Sequence, residues 1–358
     1  MSTLAVPTPS LNGSVPDREP VLEISGLNID YGIVPKELRA VIDADLVLHR
    51  GEVLGLAGES GSGKSTLVYG ATRLLRPPGV IRSGSVRLHP RTETVGGGVL
   101  ELTEASEKEL RAIRWTEISV VLQSALNALN PVATIEKEFD DVLRAHARHL
   151  SKDKRHERCA ELMTMVGISP DRLRDHPHEL SGGQRQRVMI ALALALEPQV
   201  VIMDEPTTAL DVVTQREIID ELIGLKQRLG FALLFITHDL SLLIELADEI
   251  AVMYAGRIVE RAPAAELYRA PRHPYTYGLL NSFPPMHGES HAMSGIPGSP
   301  PDLSSMPSGC PFHPRCGFAF DRCPRELPLL LPTDAASHKA ACFLHSGDVA
   351  VPEELAKR

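Results

Sequence analysis

Apolar and polar residues alternate from Val21 to Ile29, the period of a strand with one buried face. Val53 to Ala57 is a short apolar run that predicts a buried strand, and it leads straight into Gly58-Glu59-Ser60-Gly61-Ser62-Gly63. Lys64 to Leu75 then reads as a helix. Strand, glycine loop and helix together predict an α/β fold. From about Glu101 to Glu179 the chain is dense in charge, with helical spacing and few strand-like runs, so a mostly helical insertion is expected there. Ile118–Leu122 is an apolar strand within it. The α/β pattern resumes with strand Val200–Met203, helix Thr214–Leu229, strand Ala232–Thr237 and strand Ile250–Tyr254. From Pro284 onward Pro, Gly, Ser and His dominate and periodicity fades, which predicts a separate C-terminal segment. No internal repeat is visible.

The length of 358 residues suits about two domains, or one large domain with an appendage. A hydrophobic share of 43% provides for a sizeable core. The net charge of −9 argues against a general nucleic-acid binder, because no excess of cations is present to neutralise phosphates. With only 8 Phe, 6 Tyr and 1 Trp, base-stacking platforms are also unsupported. Residues 1–20 lack a basic stretch followed by an apolar core, so they read as a disordered tail and not as a signal peptide. The longest apolar run, Val188 to Leu196, is nine residues, against about 20 for a bilayer span. The expectation is a soluble cytoplasmic chain that meets a membrane only through a partner.

Gly58 to Ser65 fits G-x-x-x-x-G-K-[ST] in full. Glycines let backbone N–H groups turn inward around phosphates, and the following helix aims its positive end at the same anion. The candidate phosphate-binding residues are Gly58, Glu59, Ser60, Gly61, Ser62, Gly63, Lys64, Ser65 and Thr66. Lys64 adds a point charge and Ser65 is a Mg²⁺ ligand candidate. A chance glycine turn is the competing reading, and the position between strand and helix disfavours it. Val200 to Glu205 is an apolar strand ending in two acids. Asp204 is placed to hold Mg²⁺, and Glu205 to orient or deprotonate an attacking water. An Asp-Glu pair at a solvated strand end carries no such meaning alone; after a phosphate loop it does. Leu180-Ser181-Gly182-Gly183-Gln184 opens an apolar helix, with Ser181 suited to cap it, and makes a second anion site. One chain needs a single γ-phosphate site, so the second implies an ATP held by another subunit.

These residues resemble the ATP-binding cassette (ABC) ATPases. The phosphate loop matches that family's Walker A motif, Val200–Glu205 its Walker B motif, and Leu180–Gln184 its signature. Gln123 matches the Q-loop, a Mg²⁺ ligand that senses the membrane partner. Ala209-Leu210-Asp211 matches the D-loop, and His238 the switch histidine at the γ-phosphate. Tyr31 falls where the family stacks an aromatic ring on adenine, although a lone Tyr after a strand also serves for packing. The resemblance covers residues 21–262. It implies a P-loop NTPase fold: a RecA-like α/β core, an antiparallel β-subdomain, and an α-helical signature subdomain at about 101–180. It further implies ATP and Mg²⁺ as ligands and a head-to-tail dimer with a second ABC ATPase subunit, itself or a paralogue. Lys64, Glu205 and His238 are then the catalytic residues.

A cassette without membrane helices implies an importer ATPase on the cytoplasmic membrane face, docked on two permease subunits and served by an extracytoplasmic solute-binding protein. Asn127-Ala128-Leu129-Asn130-Pro131, Asp204 to Asp211, His273-Pro274-Tyr275-Thr276 and Gly309 to Cys316 resemble the oligopeptide/dipeptide/nickel importer branch. Ser124-Ala125 departs from that branch's pattern at the expected permease contact. The implied cargo is peptide, with nickel or another small solute as the alternative. DNA-repair or translation ATPases, and a subunit using ATP only as glue, are disfavoured by the charge and by intact Glu205 and His238.

Four of the five cysteines lie in the C-terminal extension, residues 263–358: Cys310, Cys316, Cys323 and Cys342, spaced C-x5-C-x6-C-x18-C. Disulfides are disfavoured in the cytoplasm. Zinc ribbons show tighter C-x2-C pairs, absent here. Four thiolates also suit a [4Fe-4S] cluster, which the resemblance to this branch implies and which is favoured here over zinc. Metal-free buried thiols remain open, and His313, His338 and His345 are alternative ligands. Cys159 reads as a packed thiol. Because the extension lies outside the ATP motifs, its role is expected to be structural.

Overall fold

The computed structural model describes residues 18–32, 38–91, 98–122, 129–208, 210–282, 295–347, 349–352 and 355. Two sheets organise them. Strands β1 (Pro20–Tyr31), β2 (Leu38–His49), β4 (Val80–Leu88) and β5 (Leu100–Glu101) form an antiparallel sheet in the order β2-β1-β4-β5. Along β2 buried and exposed residues alternate closely, as one covered face requires.

The larger sheet has a parallel centre: β3 (Val53–Ala57), β6 (Ile118–Val121), β7 (Val200–Asp204), β8 (Ala232–Thr237) and β9 (Glu249–Tyr254). β3, β7 and β8 are buried at every residue, which explains why they read as continuous apolar runs. The strand order is β11-β12-β10-β9-β3-β8-β7-β6, with β10 (Arg257–Pro263), β11 (Leu331–Pro332) and β12 (Lys339–Ala340) adding an antiparallel edge.

This sheet divides two cores. Leu54 and Leu56 of β3 face the antiparallel sheet, α1 (Lys64–Ala71) and α2 (Glu107–Ile113). Val53 and Ala57 face the other way, toward α5 (Gly182–Ala193), α6 (Val212–Leu229), α7 (Leu240–Leu246) and the pair α3 (Ile135–His146) and α4 (Lys152–Met165). The twofold strand period assigns alternate residues to opposite cores.

Several expectations need revision. Helix α1 ends at Ala71, short of Leu75, because Arg73 adopts a left-handed backbone (φ 57°) that no helix continues. Within the stretch expected to be a helical insertion, the strand expected at Ile118–Leu122 is β6, and it pairs with β7 in the large sheet, so that part belongs to the α/β core. The helices specific to it are α3 and α4, together with short turns at Pro170–Arg174 and Pro177–Glu179. Pro20, assigned to the tail, begins β1; residues 1–17 lie outside the described residues.

The C-terminal extension is not a separate body. It adds α8 (Ala264–Arg269) and α9 (Pro274–Asn281), and β12 pairs with β10 at Glu260 and Arg261. Phe312 is buried in the same core as α5 to α7. A buried pair ties it down further: His338 Nε2 lies 2.6 Å from Glu260 Oε1, while Glu260 also accepts the backbone N–H groups of Arg272 and His273.

Candidate functional site

The end of β3 turns through the phosphate loop into α1. Gly58 has φ 151° and sits where a Cβ would come within 2.3 Å of the Met253 carbonyl oxygen. Gly63, the N-cap of α1, has φ 106° and leaves 2.4 Å between a built Cβ and the Ala40 carbonyl oxygen. Neither position admits a side chain, so the glycines are required by close backbone approach. The turn opens on a cavity of about 420 Å³ lined by Tyr31, Ser60, Gly61, Gly63, Lys64, Ser65, Thr66 and Glu205. Leu38, Ala40 and Leu303 complete it. The structure thus brings Tyr31, the isolated aromatic of the sequence reading, to the same cavity as the loop.

Lys64 is buried, and its ammonium donates to the carbonyl oxygens of Gly58 (2.7 Å) and Glu59 (2.9 Å). Burial lowers its proton affinity, against the attraction of Glu205, Asp204 and Glu59. The Ser62 hydroxyl is buried without a hydrogen-bond partner among the described residues.

Asp204 ends β7 fully buried, and both carboxylate oxygens lack a hydrogen bond among the described residues. The hydroxyls of Ser65 and Tyr69 lie near it without completing one. Burial raises its carboxyl above the ordinary carboxylate range. A buried carboxylate without donors is costly unless a cation compensates it. Asp204 and Ser65 therefore fit a divalent ion.

Glu205 follows with φ 47°, a strained value for a residue with a side chain. Its backbone N–H is tied to the Ile236 carbonyl and its Oε2 accepts from the Thr208 hydroxyl at 3.0 Å. His238, just beyond β8, places Nδ1 3.5 Å from Glu205 Oε1. The parallel pairing of β7 with β8 brings the two together.

Ser181 caps α5: its hydroxyl accepts from the Gln184 N–H and the Gln184 side chain accepts from the Ser181 N–H. Gly183 packs so tightly on α6 that a Cβ would reach 2.7 Å from Thr214 Cγ2. Ser181, Gly182, Gly183 and Gln184 do not line the phosphate cavity of their own chain. Asp211 caps α6 through the N–H groups of Val213 and Thr214. Gln123, Ser124, Ala125, Asn127, Ala128 and Ala209 lie outside the described residues.

The four clustered cysteines line one cavity of about 20 Å³, together with His313, Phe312, Phe318, Phe343 and Leu344. All are free thiols. Burial pushes the Cys316 thiol up to about 11 and that of Cys342 up to about 12, so both are neutral at ordinary pH unless a cation favours the thiolate. Among the described residues no three His, Cys, Asp or Glu side chains are grouped to hold a metal ion. His338 and His345 are engaged elsewhere, with Glu260 and the Arg272 carbonyl oxygen. Cys159 is buried in α4, its thiol pushed up to about 12 by burial.

The extension, whose role was expected to be structural, reaches the phosphate loop. Arg315, between Cys310 and Cys316, forms a two-pronged pair with Glu59 of the phosphate loop (2.7 and 3.0 Å). The Tyr275 hydroxyl accepts the Glu59 N–H at 2.8 Å. Leu303 lines the phosphate cavity. Tyr275 and Arg315 entered the sequence reading only as parts of branch motifs and Leu303 not at all, since no local pattern links them to residue 59.

The family model for the ABC transporter matches residues 41–208, and that for the oligopeptide/dipeptide transporter C-terminal region matches residues 259–323. The chain is 40% identical over 326 residues to the dipeptide transport ATP-binding protein DppD of Caldanaerobacter subterraneus, covering 91% of this chain and 97% of that one. It is 39% identical over 328 residues to the oligopeptide transport ATP-binding protein AppD of Bacillus subtilis, with the same coverage. Among solved structures, the ATP-binding cassette MJ0796, a dimer in a post-hydrolysis state with ADP and Pi, matches with a TM-score of 0.58 and 26% identity. That match covers 68% of this chain and 98% of the other. With its phosphate loop, its acidic strand end and its C-terminal extension all accounted for, the chain belongs to the ATP-binding subunits of ABC transporters, in the oligopeptide/dipeptide branch.

Proposed function

We propose that this chain is the ATP-hydrolysing subunit that powers peptide import through separate permease subunits. The observation that carries the chemistry is the buried, donor-free Asp204 beside Lys64, with Glu205 and His238 meeting at the same strand ends. The phosphate loop and Lys64 bind the β- and γ-phosphates of ATP. Bound Mg²⁺, held by Ser65 and Asp204 with Gln123 as the further candidate, supplies charge neutralisation at the phosphate oxygens. Glu205 orients the attacking water and its carboxylate accepts that water's proton, while His238 contacts the γ-phosphate. Tyr31 stacks on the adenine.

Ser181 and Gly183 point to a second chain. They form an exposed helix start that their own phosphate cavity does not use, which supports a head-to-tail dimer in which each signature closes the partner's ATP site. The partner is a second ABC ATPase, this chain or a paralogue. No helix among the described residues is long and apolar enough to cross a membrane, so transport requires permeases. The chain then works peripherally at the cytoplasmic membrane face, with an extracytoplasmic binding protein delivering cargo. Peptide cargo rests on the C-terminal region and on the names of the relatives; nickel or another small solute is the alternative.

A second cofactor belongs to the thiol cavity. Four thiols suit an iron–sulfur cluster. Zinc is the alternative. Iron, zinc and acid-labile sulfide analysis of anaerobically purified protein separates the two.

The decisive experiment is reconstitution of the intact complex in liposomes with labelled di- and oligopeptides. ATP-dependent uptake is expected. ATP turnover stimulated by nickel chelates but not by any peptide overturns the cargo assignment.

A further inference from the structure

The phosphate loop is gripped from outside the cassette at one residue. Glu59 is held at three points: its carboxylate by Arg315, its N–H by the Tyr275 hydroxyl, and its carbonyl oxygen by Lys64. ATP replaces the third contact, because Lys64 is the loop's cation for phosphate. The first two come from the C-terminal extension and remain.

Arg315 is itself fixed. It is 7% exposed, its Nε donates to the Pro297 carbonyl oxygen at 2.8 Å, and its guanidinium lies over the Tyr254 ring. Tyr254, Tyr275 and Phe312 pack against one another beneath it. Its backbone belongs to the short turn His313–Arg315, closed by hydrogen bonds between Cys310 and Cys323 and between Arg315 and Phe312. A planar guanidinium with a bidentate carboxylate partner sets orientation as well as distance. Glu59 thus has little freedom to swing.

We propose that Arg315 is a positioning residue for ATP binding, acting through Glu59 to hold the phosphate loop in its anion-receiving conformation before nucleotide arrives. The inference rests on the ATPase reading above. It assigns the extension a role in the ATP site, distinct from any role of the thiol cavity. Since Glu205 and His238 are placed by β7 and β8, losing the Arg315–Glu59 pair weakens binding and spares the chemical step.

The test is steady-state ATP hydrolysis by the full-length protein as wild type, Glu59→Gln, Arg315→Met, Arg315→Lys and the double variant Glu59→Gln/Arg315→Met. Each single loss of the pair is expected to raise KM for ATP about tenfold with kcat changed by less than about threefold. The double variant is expected to be no worse than either single one, the mark of two residues acting as one unit. Arg315→Lys recovers part of the effect, as a point charge replaces a fork. Glu59→Gln keeps the fold test independent of Arg315, because the Glu59 side chain is partly solvated. An unchanged KM in Glu59→Gln, or additive effects in the double variant, overturns the proposal. Wild-type protein that neither binds nor hydrolyses ATP would instead sink the ATPase reading itself.

Discussion

His238 Nδ1 lies 3.5 Å from Glu205 Oε1, joining the ends of two neighbouring parallel strands. Residues 33 positions apart in the chain meet there because β7 and β8 run in register from Val200 and Ala232. Glu205 lines the phosphate cavity, and the pair sets an imidazole beside that acid.

Glu205→Gln is expected to bind ATP with near wild-type affinity while turnover falls about a hundredfold or more, the usual reach of a lost general base. Phosphate release and nucleotide titration measure the two separately. Normal turnover in this variant removes Glu205 from the base role.

Asp204 carries a stability signature. Burial raises its carboxyl above the ordinary range, so the folded chain holds this proton more tightly than the unfolded chain does. Its favourable contribution is present at low pH and lost as pH rises through the raised value. Metal-free Asp204→Asn should therefore melt a few degrees higher than wild type at neutral pH, with the gain shrinking on acidification, and should hydrolyse no ATP. A lower melting temperature at neutral pH contradicts the account of an uncompensated buried charge.

Ser181 caps α5 in a reciprocal capping box. Ser181→Ala costs about 1 kcal/mol of folding stability. In the Glu205→Gln background it is also expected to abolish the dimer that ATP induces, read by light scattering. Retention of that dimer separates the signature from the partner's phosphate.

Gly63→Ala has no route to relief, since its Cβ meets the Ala40 carbonyl oxygen at 2.4 Å and its φ is 106°. Both backbones are fixed, so the loop must shift. Loss of ATP binding in a variant that still folds cooperatively is the expected result. Gly61→Ala is the informative control, because its Cβ meets nothing within 4 Å and only its φ of 79° opposes the change. The second variant should retain more affinity than the first.

Removing one thiol tests the cysteine cavity. If the proposed metal binds there, Cys316→Ser lowers the iron or zinc that copurifies with the protein to near zero. Equal metal content in wild type and variant places the metal elsewhere.

Much of the site was legible in the chain because its elements are local. Gly58 to Ser65 specifies a loop whose backbone donors need only the glycines and the helix start. Ser181 and Gln184 satisfy one another across three residues, and β3, β7 and β8 announce burial by unbroken apolar runs. α2 and β5 were harder to read, because a two-residue strand and a seven-residue helix among charges carry almost no period.

The sequence by itself determined the phosphate loop, the acidic strand end, the helix cap of the signature and the central strands, since each depends on contacts within a few residues or on simple burial. Only the tertiary structure decided that the extension joins the cassette. β12 is two residues long, and Arg315 reaches Glu59 across 256 positions of chain. Such a contact exists only after β9, β10 and α9 have packed, so no window of sequence contains it. The same holds for Tyr31, which a strand end delivers to the cavity, and for four thiols that loops without periodicity set around one cavity.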